Sequence, residues 1–142
     1  MAQKENNIIP MIFDEAFYRK MATQKWRQQD YKKAAEYYEK VLELSPEDFD
    51  IQQHYAQCLV KLNIGKKAEH LFYENIVKDF HVAESFYELS QLNIELNEPN
   101  KAFLFGINYV ILSDDKDFRE MLEKTFEVTY TCLLYTSPSP RD

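Results

Sequence analysis

Three alanines are equally spaced along this chain, at Ala34, Ala68 and Ala102. The segment around the first of them, residues 30–46, places Ala34, Tyr38 and Val41 on one side of a helix and charged residues on the other. One amphipathic helix of this kind cannot bury its apolar side alone, so copies at a fixed period indicate helices that stack on their neighbours. The period therefore predicts an all-α repeat fold.

The composition agrees with a helical chain that packs through aromatic side chains. Its 142 residues include only two glycines against ten tyrosines and ten phenylalanines, and glycine costs a helix interior about 1 kcal/mol relative to alanine. The net charge is −7 without a basic run, which argues against nucleic acid as a partner. No segment approaches the roughly 18 apolar residues of a membrane helix, and no targeting segment is visible. We therefore expect a cytoplasmic protein with no membrane partner.

Cap and breaker residues divide the chain into seven predicted helices. Asp14 and Asp30 are the predicted N-caps of the first two helices, and Ser45 followed by Pro46 predicts that the third helix begins there. The predicted helices span about 14–28, 30–44, 46–62, 66–79, 82–96, 100–112 and 115–131.

The predicted helix pairs resemble tetratricopeptide repeats. The first helix of each pair carries a bulky residue followed by a small one, in Met21-Ala22, Tyr55-Ala56 and Leu89-Ser90. The second helix carries the recurrent alanine, where the family has a close helix crossing, and an aromatic residue four positions later in the first two copies, Tyr38 and Phe72. The resemblance implies a right-handed α-solenoid of three helix-turn-helix repeats at about 15–48, 49–82 and 83–116, plus a seventh helix at 115–131.

Among the departures from the family pattern, two concern the last two predicted helices. Gly106 stands where the third copy should have its aromatic residue. In the seventh helix, Glu123 and Lys124 fall at the bulky and small positions. That helix is therefore either a capping helix or the shifted start of another repeat.

The two ends of the chain are set apart from the repeat domain at 14–131. Residues 1–13 are mostly polar before a proline and are interpreted as a flexible leader. Residues 132–142 resemble the translation of a transposase-type sequencing adaptor, and all eleven match that pattern. We interpret this tail as non-native and expect the chain before it to be truncated inside a longer gene.

The resemblance implies a partner-binding groove, because in this family the first helices line the concave side. The expected groove residues are Arg19, Thr23, Trp26, Arg27, Gln53, Gln57, Lys61, Glu84, Tyr87, Glu88, Gln91 and Glu95. The groove would run from basic to acidic, with Trp26 and Tyr87 as aromatic anchors for a peptide. Packing under the leader is an equally weighted alternative for Trp26.

Two function classes follow from these expectations. The first is a non-enzymatic scaffold that binds a protein or peptide partner, and the alternative is the N-terminal regulatory arm of a longer enzyme truncated here. Some relatives bind the C-terminal carboxylate of chaperones, but Glu84 and Glu88 stand where cations are needed and would repel it. No cofactor is expected, because the chain has no phosphate-binding loop or nucleophile motif. His54 and Cys58 have the spacing of half a metal site, but no matching pair exists, so no metal is expected.

Overall fold

The computed structural model describes residues 14–126, and within this range the chain forms seven α-helices and no strand. They are α1 Glu15–Arg27, α2 Tyr31–Leu44, α3 Phe49–Lys61, α4 Gly65–Val77, α5 Val82–Glu95, α6 Pro99–Ser113 and α7 Lys116–Phe126. The predicted all-α fold is confirmed. The leader at 1–13, the end of the seventh helix and the tail at 132–142 lie outside the described residues.

The helices follow the period of the sequence. The second helices α2, α4 and α6 begin at the same interval as the recurrent alanines, and the first helices α1, α3, α5 and α7 keep that interval to within one position. The chain divides into two compact units, Met1–His81 and Val82–Asp142. In the first unit α1 packs on α2, α2 on α3 and α3 on α4, and in the second α5 packs on α6 and α6 on α7.

The turn inside each helix pair has the same backbone conformation. Gln29, Asn63 and Asn97 stand at equivalent positions of the three pairs and adopt left-handed φ angles of 61°, 62° and 59°. In each turn the next N–H donates to the carbonyl five residues earlier, as from Asp30 to Lys25 at 2.9 Å and from Ile64 to Leu59 at 2.8 Å. This closure satisfies carbonyl groups at the helix end that would otherwise lack a partner.

The core of the first unit uses the residues that define the period. Ala22, Ala34, Ala56 and Ala68 are fully buried where adjacent helices approach closely, and Phe72 is fully buried among them in the core. Alanine permits this approach because its side chain is a single methyl group, which keeps the two backbones only a short distance apart. Of the other residues that define the repeat pattern in this unit, Tyr38 and Tyr55 are buried and Met21 is half-buried.

The start of the third helix differs from the prediction. Asp48, not Ser45, caps α3, and its Oδ1 accepts a hydrogen bond from the Ile51 N–H at 3.1 Å. Ser45 instead closes α2, and its hydroxyl donates to Glu15 Oε1 at 2.9 Å. The contact with Glu15 crosses 30 residues of sequence, so a local cap pattern could not indicate it. The predicted caps Asp14 and Asp30 are confirmed.

In the second unit, the packing of α7 on α6 explains why Gly106 stands where the repeat pattern has an aromatic residue. Gly106 is buried on α6, and a Cβ atom there would lie 2.7 Å from Leu122 Cδ1 and 3.0 Å from Ser90 Oγ. Leu122 of α7 is only 1% exposed and packs with Val110 and Phe118. Leu122 therefore occupies the space in which the third copy would carry its aromatic residue.

Candidate functional site

The expected groove residue Arg19 is held by contacts within the fold. Its Nε donates to Glu15 Oε2 at 2.8 Å, and its Nη2 pairs with Asp48. The hydrogen bonds with Asp48 and Glu15 raise the pKa of Arg19. Burial raises the pKa of Asp48, but the hydrogen bonds from Arg19 and the Ile51 N–H outweigh it and lower that pKa. Arg19 thus joins α1 to the start of α3.

Gln53 is not accessible to a partner. The residue is only 4% exposed. Its Oε1 accepts a hydrogen bond from Asn75 Nδ2 at 2.7 Å. Asn75 also accepts at 3.0 Å from Gln52, so the three amides form a buried polar network between α3 and α4. The prediction that Gln53 lines an open groove is wrong, because satisfying buried amides requires this pairing.

Two expected groove residues meet at an aromatic residue that the prediction missed. The Trp26 and Tyr31 rings pack edge to face with centroids 5.2 Å apart. The Lys61 ammonium lies 6.0 Å from the centre of the same Tyr31 ring, which is a cation–π distance. Tyr31 is the first residue of α2, directly after the turn that follows Trp26. The sequence signal for Tyr31 was therefore this position, next to Trp26 across the turn.

One face of α1 borders a cleft of about 630 Å³. Its described lining residues are Lys20, Thr23, Gln24, Arg27 and Gln28. Thr23 and Arg27 were expected groove residues, and Lys20, Gln24 and Gln28 were missed although they follow one helix face at spacings of four. Lys20 and Arg27 form no ion pair with any described residue. Within residues 14–126, this face therefore presents two cations that no carboxylate pairs.

The remaining expected residue of the first unit, Gln57, is half-buried on α3. In the second unit, Glu84, Gln91 and Glu95 are exposed on α5, and Glu88 is half-buried. Tyr87 is 37% exposed, and its ring lies 5.2 Å from that of Tyr109 and 5.3 Å from that of Phe118. Tyr87 is thus held in place while one part of the ring faces solvent.

A second cleft, which the prediction missed, lies at the C-terminal end of α5, and no expected groove residue is among its described lining residues. It measures about 250 Å³ and is lined, in the described part of the chain, by Ile94, Asn97, Pro99, Thr125 and Phe126. Ile94 is 40% exposed. It lies one turn after Gln91, which was the sequence signal for it.

His54 and Cys58 do not point to a shared ligand. The His54 ring stacks on Tyr38 with centroids 6.0 Å apart. Cys58 is fully buried, and burial raises the pKa of its thiol to about 12. Among residues 14–126, no group of three His, Cys, Asp or Glu side chains has a geometry that could hold a metal ion.

Comparisons with known proteins agree with the repeat fold. The family model described as tetratricopeptide repeat matches residues 25–72. A solved structure titled "Crystal structure of MamA protein" superposes with a TM-score of 0.70 at 19% identity, covering 80% of this chain and 62% of that chain. No curated protein matches. In the superposition, the chain spans about 62% of the length of the MamA chain.

The family match covers residues 25–72, and the similarity to the solved structure shows that the two chains share the helical repeat fold. Within 14–126, every helix is too short or too polar to cross a membrane.

Proposed function

We propose that the chain is a scaffold that binds a peptide segment of a partner protein on the exposed faces of its first helices. One observation supports this most directly. Each of α1, α3 and α5 buries one face in the core and leaves polar or aromatic residues accessible on another. The accessible residues with the clearest exposure are Thr23, Arg27, Lys61, Glu84, Gln91 and Glu95.

The aromatic side chains beside these faces supply anchors for binding. Trp26 and Tyr31 contact each other in the first unit, and Tyr87 contacts Tyr109 in the second. Binding energy concentrates in such residues because they bury large areas and lose little conformational entropy. A ring already held by its neighbours loses still less on binding.

A selection experiment tests the proposal without assuming a partner. A phage library of random peptides is selected on the immobilised chain, and the selected peptides are synthesised and measured by fluorescence anisotropy. Two double variants alter first-helix faces, Lys20→Glu/Arg27→Glu on α1 and Glu84→Lys/Glu95→Lys on α5. Arg19 is left unchanged because it is paired within the fold.

Matched controls alter exposed charges away from the first-helix faces. Lys32→Glu/Lys33→Glu lies on α2, and Glu36→Lys/Glu47→Lys lies on α2 and in the loop after it. We expect at least one first-helix variant to weaken binding about tenfold or more, while the controls bind like the wild type and all variants keep their helical circular dichroism. Failure to select any peptide, or equal losses in the controls, contradicts the proposal.

A further inference from the structure

The charge on the first helices changes sign between the two units. Helix α1 contains one glutamate and four cations. Residues 82–98, which cover α5 and the turn after it, contain four glutamates and no lysine, arginine or histidine. An approaching cation therefore meets no like charge along α5.

Apolar side chains are exposed on this same helix face. Tyr87 and Ile94 are 37% and 40% exposed, and they lie two helical turns apart with the exposed Gln91 between them. Positions separated by four and seven residues share one face of a helix. Glu84 and Glu95 are exposed beyond the two ends of this stripe.

The cleft beside Ile94 fits one side chain of a partner. Its volume is about 250 Å³, which is below the roughly 300–1,000 Å³ of sites that enclose small molecules. The Ile94 and Phe126 side chains and Pro99 supply apolar walls, and Asn97 and Thr125 supply polar atoms at its edge. An aliphatic or aromatic side chain therefore suits it better than a cofactor.

We propose that the α5 face and this cleft bind a basic peptide segment that carries an aliphatic or aromatic anchor. The inference rests on the proposed scaffold function and names the class of partner for one face. Charge complementarity selects this occupant, because carboxylates flank the apolar stripe and would repel an acidic peptide or a nucleic acid phosphate. The anchor would enter the cleft while the cations of the peptide lie near Glu84 and Glu95.

The test uses designed probes and the full chain. The first probe is a fluorescein-labelled peptide with a Phe and a Leu two helical turns apart among lysines. The second replaces the lysines by glutamates, and the third replaces the Phe and the Leu by serines. We expect the first probe to bind about tenfold or more tightly than either of the others, with affinity falling as salt is added.

Two variants locate the binding, and each has a matched control. Glu84→Gln/Glu95→Gln should weaken the first probe about two- to tenfold, because it removes two carboxylates and each exposed ion pair contributes at most about fivefold. Ile94→Ala should weaken it about threefold or more through the cleft. Glu36→Gln/Glu47→Gln removes the same charge elsewhere, and Leu104→Ala removes an aliphatic side chain that is 60% exposed on α6. Both controls should bind like the wild type.

Several results would overturn the inference. Equal losses in the Glu36/Glu47 control would show general charge attraction, and tighter binding of the acidic probe would reverse the assigned partner. Concentration-dependent dimerisation that Glu84→Gln/Glu95→Gln abolishes would make a second copy of the chain the occupant. If phage-selected peptides bind and depend only on Lys20 and Arg27, the scaffold function stands and this inference fails. If no peptide is selected, the scaffold proposal itself fails, whereas the probes still report on α5.

Discussion

Replacing Gly106 by alanine tests whether the contact with Leu122 explains the glycine in the third repeat. Alanine is favoured over glycine in a helix interior by about 1 kcal/mol. The new Cβ would lie 2.7 Å from Leu122 Cδ1 and 3.0 Å from Ser90 Oγ, and both of those residues are buried. Overpacking of this kind costs about 1–3 kcal/mol. We therefore expect Gly106→Ala to lower the free energy of unfolding by about 1 kcal/mol.

The sign should reverse when Leu122 is shortened. Leu122→Ala alone should cost about 2–5 kcal/mol, because it opens a cavity beside α6. In that background only the 3.0 Å contact with Ser90 Oγ remains, and rotation of that hydroxyl can relieve it, so Gly106→Ala should stabilise by up to about 1 kcal/mol through helix propensity. The two effects of the same substitution then differ by up to about 2 kcal/mol, which is the coupling between the two positions.

Urea unfolding followed by far-ultraviolet circular dichroism measures the four proteins of this cycle. Hydrogen exchange of peptides from α6 gives a second readout that remains valid if Leu122→Ala detaches α7, since α6 also packs on α5. Fluorescence of Trp26, the single tryptophan, reports on the first unit during the same titration. A loss of stability from Gly106→Ala that is equal in both backgrounds would refute the role assigned to Leu122.

Three further predictions concern the first unit. Gln29→Gly should raise the free energy of unfolding by up to about 1 kcal/mol in thermal melts, because the left-handed conformation at φ 61° strains a residue with a Cβ; an unchanged melting temperature would contradict this. The pKa of Asp48 is lower in the folded state than its ordinary value of 3.8, so its contribution to stability is present above that value and is lost as the pH falls through the folded pKa. Asp48→Asn should therefore flatten the acid side of a stability-against-pH curve, and an equally steep curve would count against the pairing with Arg19. In a Cys132→Ser variant, Cys58 should react with a thiol reagent only as fast as the protein opens, because burial raises its pKa to about 12; labelling at the rate of a free thiol would show that the site is open.

The fold was predictable because its information is local and repeated. The regular spacing of Ala34, Ala68 and Ala102 sets the helix pairs, and the same alanines are fully buried in the structure. The start of α3 was not predictable in the same way. Ser45 and Asp48 both have cap-forming side chains, and the choice between them depends on Glu15, which is 30 residues away from Ser45.

The candidate site was likewise predictable in part, because exposure follows the local helix period but pairing in the interior does not. Helix periodicity correctly places Arg27, Glu84 and Gln91 on exposed faces. It cannot distinguish an exposed polar residue from one that is paired in the interior, as Gln53 is with an asparagine 22 residues later. Whether exposed residues bind a partner is a separate question that the two peptide experiments address.

The common closure of the turns at Gln29, Asn63 and Asn97 has a consequence for how such a chain changes length. Cutting after any two of these residues leaves ends with the same left-handed φ angle and the same hydrogen-bond pattern. A segment between two cuts contains a second helix and the first helix that follows it, so it can be copied or removed as a unit without creating a new turn. Tandem duplication would then lengthen the protein by one whole period at a time, while each junction keeps a sequence already compatible with it.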